Sequence, residues 1–281
     1  MRYESAAGFR QALEERLGTR ARSSSASLVR LRKTVVFERL LARLVVASPG
    51  RWVLKGGLAL DFRLRDRSRT TKDMDMVRHD DEDAAVADLI EATATDLGDF
   101  FAFSLEGRTR IREDDGGGVR CRVRAELASR LFENVVVDTG FADPLRWDPD
   151  LARGSDLLAF AGIEPVEVPV IPLEQQVAEK VHAYTRSYGG QPSSRVRDLV
   201  DLVLIGGSAT LDGTRLRAAL RGTFEGRRQH PLPASLPPPP ASWSVAYRKL
   251  ATEVGLAPDL AAGHREAAAL LDPILAEEGS R

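Results

Sequence analysis

The chain has 281 residues and a formal net charge of −1, from 40 Lys and Arg against 41 Asp and Glu. Its apolar content of 43% is ordinary for a globular protein and sufficient for a large core. The near-neutral balance excludes a global basic field, so any contact with nucleic acid requires a local patch. The single cysteine, Cys121, excludes an internal disulfide and a cysteine-based zinc site.

The first half of the chain predicts helices followed by a mixed sheet. Apolar residues at three- and four-residue spacing predict two helices within 5–48, separated by the serine-rich run at 23–27. The next elements are predicted in the order strand 52–54, helix 58–64, strand 70–78, helix 80–97, and strands 100–104, 119–126 and 131–138. This order predicts an α+β fold in which helices lie on one side of a mixed sheet.

The second half of the chain is predicted to be mainly helical. Helical periodicity covers 172–187, 195–207, 213–223, 242–254 and 259–277. The proline-rich stretch 231–243 is expected to be an extended linker on the surface. The change of pattern predicts two domains, residues 1–170 and residues 171–281. The absence of a signal core and of a long apolar run predicts a cytoplasmic protein that does not contact membranes.

The stretch KDMDM at 72–76 alternates carboxylates with bulky apolar groups. In a strand, Asp73 and Asp75 would lie on one face while Met74 and Met76 enter the core on the other. Two carboxylates this close repel each other unless a cation lies between them. The motif therefore indicates a metal site, although an exposed edge with two solvated aspartates explains it equally well.

A glycine pair, Gly56 and Gly57, follows a predicted strand and precedes a predicted helix. Backbone amides at such a position can approach phosphate oxygens, but a tight turn is the simpler explanation for a lone pair of glycines. Together with the aspartates, the pair predicts a triphosphate held by amides and by Mg²⁺, with Mn²⁺ as a possible substitute. Asp138 is the candidate for a third acid, and Glu126 and Glu133 on the same predicted strands remain alternatives to it.

Four motifs in this chain together resemble a known family. The stretches VLKGGLALDFRL and RSRTTKDMDM resemble nucleotidyltransferases of the polymerase-β type, and within them the AbiEii branch of bacterial toxin–antitoxin and phage-defence toxins. EQQVAEKVHAYT and SRVRDLVDLVLI resemble the two C-terminal helical motifs of that branch. The resemblance covers roughly residues 30–206 and is closest to the mycobacterial MenT toxins, which add nucleotides to tRNA.

The resemblance implies a nucleotidyltransferase domain at 1–170 and a helical domain that completes the active site. In the first domain, Asp73 and Asp75 would bind the metal, with Asp138 as a further ligand. Gly56 and Gly57 would form the phosphate loop.

The remaining candidates are also implied by the resemblance. Lys55 would lie beside the phosphate loop, and Thr71 stands where related toxins carry a serine that contacts the nucleotide. Lys180 would contact the triphosphate, and Asp201 would be the acid of the second half. Asp198 and Arg195 would support these two residues. From the helical pattern alone, Lys180 is a solvated helix residue and the two aspartates are partners of nearby arginines.

The expected function is a Mg²⁺-dependent transfer of NMP from NTP to RNA. The resemblance implies that the tRNA 3′ acceptor end is the acceptor, that translation and growth are blocked, and that a cognate antitoxin encoded nearby neutralises the toxin. Arginines at alternate positions are predicted to form an extended basic patch for RNA: Arg63, Arg65, Arg67 and Arg69. Two rival interpretations are a nucleotidyltransferase with a protein or small-molecule acceptor, and an inactive nucleotide-binding regulator. The intact aspartate pair argues against the second.

Overall fold

The computed structural model describes residues 1–24, 26–65, 68–111, 117–141, 147–187 and 195–279. This part of the chain contains nine α-helices and seven β-strands, which confirms the predicted α+β class. The helices are α1 (Ala6–Ser23), α2 (Leu28–Ala47), α3 (Gly56–Leu64), α4 (Glu82–Ala94), α5 (Leu173–Thr185), α6 (Val196–Gly206), α7 (Gly213–Arg227), α8 (Ser244–Glu253) and α9 (Leu260–Gly279). Among these described helices, none is long and apolar enough to cross a bilayer.

All seven strands form one mixed sheet. They are β1 (Val53–Lys55), β2 (Asp73–Arg78), β3 (Phe101–Ile111), β4 (Gly118–Leu127), β5 (Arg130–Phe141), β6 (Asp150–Arg153) and β7 (Glu167–Val170). Their order is β3-β4-β5-β2-β1-β7-β6, which puts β2 at the centre. β2 is parallel to β5 and β1 is parallel to β7, while the other neighbours are antiparallel.

The sequence prediction missed β6 and β7. Each strand has only four residues, and β7 contains Pro169, which cannot donate a hydrogen bond to a neighbouring strand. Such short segments give too few alternating positions to be recognised. They extend the sheet beyond β1 and occupy the part of the chain just before the helical half.

The central strand β2 has one face in the core and one face outside it. Met74 and Met76 are 0% and 1% exposed. Asp73 and Asp75 alternate with them and are only partly buried. This alternation is the one predicted from KDMDM, and it confirms that the two aspartates share a face of the sheet.

Three helices cover one face of the outer strands. α1 packs against β4, α2 against β5 and α4 against β3. Val119, Cys121 and Val123 of β4 are buried in the core, and burial raises the pKa of the Cys121 thiol to about 11. Arg120 and Arg122, which alternate with them, are exposed. The opposite face of β4 is therefore open to solvent.

Contacts along the chain define two compact units. Unit 1 comprises Met1–Arg65 and Thr70–Ile171, and unit 2 comprises Asp66–Arg69 and Pro172–Arg281. Unit 1 contains the whole sheet with α1 to α4, and unit 2 contains α5 to α9. In unit 2, α5 packs against α6 and α7, and α6 packs against α8 and α9. The helices predicted for the second half are all present.

The proline-rich stretch is extended, but it packs within unit 2. Leu236 is 3% exposed, and its backbone N–H donates to Asp272 Oδ1 of α9 at 2.8 Å. The Tyr184 hydroxyl of α5 donates to the carbonyl of Pro237 at 2.7 Å. The expectation of a linker that merely crosses the surface is therefore wrong, because this stretch contributes an apolar side chain and two hydrogen bonds to the helical unit.

Glu38 of α2 is a buried carboxyl group in unit 1. Its side chain is 4% exposed, and Oε1 accepts a hydrogen bond from the backbone N–H of Ser155 at 2.6 Å. Burial raises the pKa of Glu38 from 4.5 to about 7, against a smaller opposing effect of the Ser155 hydrogen bonds. The folded protein therefore binds this proton more tightly than the unfolded chain does.

The Glu38 carboxyl predicts a pH dependence of stability. Its contribution is complete below pH 4.5 and is lost as the pH rises through about 7, because ionisation is easier in the unfolded chain. Glu38→Gln keeps an oxygen acceptor for Ser155 and removes the titration. We expect the variant to match the wild type at pH 4.5 and to exceed it by about 3 kcal/mol in free energy of unfolding at pH 8. Urea unfolding across this pH range measures the difference, and a constant difference between the two proteins would contradict the assignment.

Candidate active site

Asp75 lies in a row of charged residues that crosses the sheet. In the strand register, Asp75 is opposite Lys55 of β1 and Asp138 of β5, and Asp138 is opposite Arg120 of β4. Directly opposed residues on adjacent strands share a face and lie about 5 Å apart. Asp73 lies on the same face, two residues before Asp75. Three carboxylates are thus grouped on one face, between a lysine and an arginine.

The turn from β1 into α3 brings the backbone against Asp75. Gly56 has a φ of +67°, and a Cβ built on it would lie 2.0 Å from Asp75 Oδ2. Glycine is therefore required twice over, by the left-handed conformation and by the close approach. Gly57 is buried in the first turn of α3. The backbone N–H groups of a first helical turn lack intrahelical acceptors, and they are the groups that bind phosphate oxygens at helix N-termini.

Two further predicted residues, Lys55 and Thr71, lie beside the aspartates. Lys55 ends β1, and its Nζ lies 3.7 Å from the position that a Cβ on Gly140 of β5 would occupy. Its positive charge is therefore on the carboxylate face of the sheet. The Thr71 hydroxyl donates to the backbone carbonyl of Asp73 at 3.3 Å and thereby holds the start of β2.

The third predicted carboxylate, Asp138, is bound by Arg120. Arg120 donates from Nε to Oδ1 at 2.7 Å and from Nη2 to Oδ2 at 2.6 Å. This pairing with Asp138 raises the pKa of Arg120 above its usual value, with smaller contributions from Asp73 and Asp75. Both oxygens of Asp138 therefore face a guanidinium. Over the described ranges, no three His, Cys, Asp or Glu side chains are arranged to hold a metal ion.

The two alternatives to Asp138 lie elsewhere in the sheet. Glu126 accepts a hydrogen bond from Arg124 at 2.8 Å, near the end of β4. Glu133 pairs in register with Ala125 of β4, five residues before Asp138 along β5. Of these three acids, Asp138 is the one whose register places it opposite Asp75.

In unit 2, the predicted residues of α5 and α6 form a buried ionic cluster with Arg69. Lys180 Nζ lies 2.6 Å from Asp201 Oδ2 and 3.3 Å from Asp198 Oδ1. Arg69 donates from Nε and Nη2 to the two oxygens of Asp201, each at 2.9 Å. Lys180 is 6% exposed and Asp201 is 1% exposed. Two positive and two negative side chains thus meet in the interior of unit 2.

The pKa values in this cluster depend on the competition between burial and ion pairing. Burial would lower the pKa of Lys180, but Asp201 and Asp198 outweigh it and raise that pKa. Burial would raise the pKa of Asp201, but Lys180 and Arg69 outweigh it and lower that pKa. Burial dominates at Asp198 and raises its pKa, and its Oδ2 has no hydrogen-bond partner within the described residues. Lys180 therefore stays charged, and Asp198 is the member of the cluster that is most easily neutralised.

Arg195, the predicted supporting residue, directly precedes α6. Its carbonyl accepts a hydrogen bond from the backbone N–H of Asp198 at 2.9 Å, and its side chain is exposed. It therefore contributes to the start of the helix that carries both aspartates of the cluster.

The predicted extended patch of arginines at 63–69 is wrong. Arg63 lies in α3, where its Nη2 binds Asp150 at 2.6 Å and the carbonyl of Ile171 at 2.7 Å. Arg69 is occupied by the buried cluster of unit 2, Arg65 is exposed, and Arg67 lies outside the described residues. Arg63 and Arg69 each bind a carboxylate that is distant along the chain. The alternation of arginines in the sequence does not reveal these partners.

The carboxylates of unit 1 fit a hard divalent cation that also binds phosphate. Mg²⁺ is held in proteins by one or two carboxylates together with substrate phosphates and waters. Asp73 and Asp75 supply such a pair on one face, and the glycine backbone at Gly56 reaches Asp75 without a side chain in between. The donor set therefore suits a metal bound together with a triphosphate.

Gly56→Ala tests the contact between the turn and Asp75. The new Cβ would collide with the carboxylate, so we expect transfer activity to fall by about a hundredfold or more, as when the reacting groups are misplaced by an ångström. Gly50→Ala is the matched control, because Gly50 has a φ of +74° and no atom within 4 Å of its added Cβ. Both variants carry the same backbone strain, so initial rates and melting temperatures separate the collision from the strain. Equal activity in the two variants contradicts the account.

Comparisons with known proteins identify the family of the chain and proteins of similar fold. The sequence pattern of the family described as "Nucleotidyl transferase AbiEii toxin, Type IV TA system" matches residues 39–272. The structure is similar to MenT4, a nucleotidyltransferase toxin from Mycobacterium tuberculosis H37Rv, with 20% identity, a TM-score of 0.62, and 95% of this chain and 89% of that chain covered. It is also similar to JHP933 from Helicobacter pylori, with 16% identity, a TM-score of 0.47, and 88% of this chain and 94% of that chain covered. No curated protein sequence matches the chain.

The range matched by the family pattern contains both structural centres described above. It includes the glycine turn and aspartates of unit 1 as well as the ionic cluster on α5 and α6 of unit 2. The similarity to MenT4 extends over nearly the whole length of both chains and concerns the fold. On this evidence, the chain belongs to the AbiEii family of nucleotidyltransferase toxins of type IV toxin–antitoxin systems.

Proposed function

We propose that this toxin transfers a nucleoside monophosphate from an NTP to the 3′ acceptor end of tRNA, with Mg²⁺ as cofactor, and so blocks translation and growth. The family implies nucleotidyl transfer, an NTP substrate and an antitoxin partner. The observation that carries the proposal is the close approach of Gly56 to the Asp75 carboxylate, next to Asp73. It supports the proposal because phosphate-binding amides and metal-binding carboxylates then meet at one point of the sheet.

In unit 1, separate groups of residues would bind the metal and the triphosphate. Asp73 and Asp75 would hold Mg²⁺, or Mn²⁺ in its place, and the bound metal would neutralise charge that develops on the α-phosphate. The amides of Gly56 and Gly57 and the ammonium of Lys55 would bind the remaining phosphate oxygens. A hydroxyl of the acceptor would attack the α-phosphorus in line, and pyrophosphate would leave.

The residues of unit 2 would supply a fixed positive charge. Lys180 remains protonated between its two carboxylates and would interact with the triphosphate. Asp201 would hold Lys180 in place, supported by Asp198 and by Arg195 at the start of α6. Thr71 would contact the nucleotide through its hydroxyl.

One exposed arginine favours a polyanionic acceptor. Arg122 of β4 is opposite Val136 of β5, which is opposite Asp73 of β2. Two strand spacings therefore separate Arg122 from the aspartate, about 10 Å on the same face. Arg122 is exposed, and its guanidinium forms no ion pair or hydrogen bond with the described residues. A cation with no partner among the described residues, at this distance, supports binding of the phosphate next to an acceptor 3′ end.

A transfer assay with labelled nucleotides tests the proposal. Purified protein is incubated with total RNA, Mg²⁺ and each α-labelled NTP separately, and we expect label in RNA of tRNA size. Periodate-oxidised RNA, which lacks the 3′-terminal hydroxyls, is the control and should stay unlabelled. Label in protein or in small molecules instead of RNA would favour the rival acceptors. The absence of label with every NTP, in Mg²⁺ and in Mn²⁺, would contradict the proposed transfer altogether.

A further inference from the structure

Arg120 lies on the face of the sheet that carries Asp73, Asp75 and Asp138, but the function proposed above gives it no role. Its guanidinium binds both oxygens of Asp138, although its own side chain is 52% exposed and that of Asp138 is only 14% exposed. The pair is bidentate, which is the geometry in which an arginine holds a carboxylate most firmly. Because the carboxylate it holds lies directly opposite Asp75, the pair also bears on the metal site.

The position of Asp138 would otherwise make it a metal ligand. It is directly opposite Asp75 in the register of β2 and β5, on the face that also carries Asp73. Three carboxylates grouped on one face repel each other and attract a divalent cation strongly. With Arg120 on both of its oxygens, Asp138 would have to share each oxygen between the guanidinium and a metal, and its negative charge is already compensated.

We propose that Arg120 is a positioning residue that withholds Asp138 from the metal, so that the nucleotide-free protein binds a divalent cation weakly and through Asp73 and Asp75 alone. The phosphates of the NTP must then supply the missing ligands, and metal binding depends on nucleotide binding. This inference rests on the proposed function only in its use of the aspartate pair as the metal site. Its consequence is that the toxin takes up its metal with the substrate rather than before it.

The same strand provides a matched control. Arg124 lies on the same face of β4, four residues after Arg120, and its Nε donates to Glu126 at 2.8 Å. It is also an arginine–carboxylate pair on a strand surface, but its partner is not opposite Asp75. Arg124→Met therefore reproduces the loss of a surface arginine without releasing a carboxylate beside the aspartate pair.

Mn²⁺ binding to the full-length, nucleotide-free protein tests the proposal directly. Titration by electron paramagnetic resonance or calorimetry is carried out on the wild type, Arg120→Met, Arg124→Met, Asp138→Asn and the double variant Arg120→Met/Asp138→Asn. We expect Arg120→Met to bind Mn²⁺ about tenfold more tightly, as is typical when a group next to a metal site is changed. Arg124→Met and Asp138→Asn should resemble the wild type, and the double variant should lose the gain. Arg120→Lys, which keeps the charge without the fork, should lie between the wild type and Arg120→Met.

The outcomes separate this inference from the proposed function. Equal Mn²⁺ affinity in the wild type and Arg120→Met overturns the inference while leaving the aspartate pair intact as the site. A gain that persists in the double variant also overturns it, because Arg120 would then act on Asp73 and Asp75 by charge alone. If no variant binds Mn²⁺ even when an NTP is present, the metal-dependent function itself fails. Circular dichroism of each variant establishes that the fold is retained, and Arg120→Gln serves as a second substitution if Arg120→Met does not fold.

Discussion

Asp73→Ala is expected to lower kcat for nucleotidyl transfer by about a thousandfold or more while the protein stays folded. The carboxylate would be one of two protein ligands for the metal, and its loss leaves Asp75 as the one remaining ligand of the proposed pair. The fold should survive because the side chain points away from the core, in which the neighbouring Met74 is fully buried. Single-turnover rates with labelled NTP at saturating Mg²⁺ measure the effect.

The control for this variant is the residue immediately before it. Lys72 is exposed and lies next to the strand, so Lys72→Ala changes a charge at nearly the same place without removing a ligand. We expect Lys72→Ala to retain activity within a few-fold of the wild type, and both variants to melt within a few degrees of it. A folded Asp73→Ala protein with near-normal activity would falsify the two-carboxylate account.

Lys180→Met is expected to reduce the free energy of unfolding by about 3–5 kcal/mol, the usual cost of removing one partner from a buried ionic group. The substitution leaves Asp198 and Asp201 in the interior of unit 2 with Arg69 as the remaining cation of the cluster. Methionine matches the length of the lysine stem, so the loss reports on charge rather than on volume. Urea unfolding of the full chain, followed by circular dichroism, gives the value.

A charge-balanced double variant separates the structural role of Lys180 from its proposed role at the triphosphate. Lys180→Met/Asp198→Asn removes one charge of each sign, and it leaves Arg69 paired with Asp201. We expect most of the lost stability to return, but the KM for NTP to stay high and kcat to stay low. If activity returns together with stability, the role of Lys180 ends with the ionic cluster, and another cation must bind the triphosphate.

The elements that could be predicted from the sequence are those with a local repeating pattern. The helices of both halves follow apolar spacing, and the alternation of Met74 and Met76 with the two aspartates fixes the faces of β2. The turn at the glycine pair could also be predicted, because two glycines between a predicted strand and a predicted helix indicate a tight turn. Its contact with Asp75 depends on the register of β1 and β2, and this register could not be predicted from the sequence.

The partners of the charged residues could not be predicted, because they are distant along the chain. Arg69 and Asp201 are separated by 132 positions, and Arg120 and Asp138 by 18 positions across a turn. Within the sequence, Arg69 belongs to a run of alternating arginines and Arg120 to the run VRCRVR, so each suggests a solvated stripe. The folded chain assigns each of them a particular carboxylate, and pairing of this kind follows from tertiary structure rather than from local spacing.

The segment Asp66–Arg69 has a consequence for how the toxin is made. It precedes β2 in the chain, yet it belongs to unit 2, where Arg69 binds Asp201 of α6. Synthesis from the N-terminus delivers Arg69 long before its carboxylate, because Asp201 lies 132 positions later in the chain. The ion pair between Arg69 and Asp201 can therefore form only after α6 has left the ribosome. A truncated product that ends before α6 lacks Asp201, so interrupted translation of the toxin releases a chain in which Arg69 has lost this partner, close to the strand that carries the proposed metal ligands.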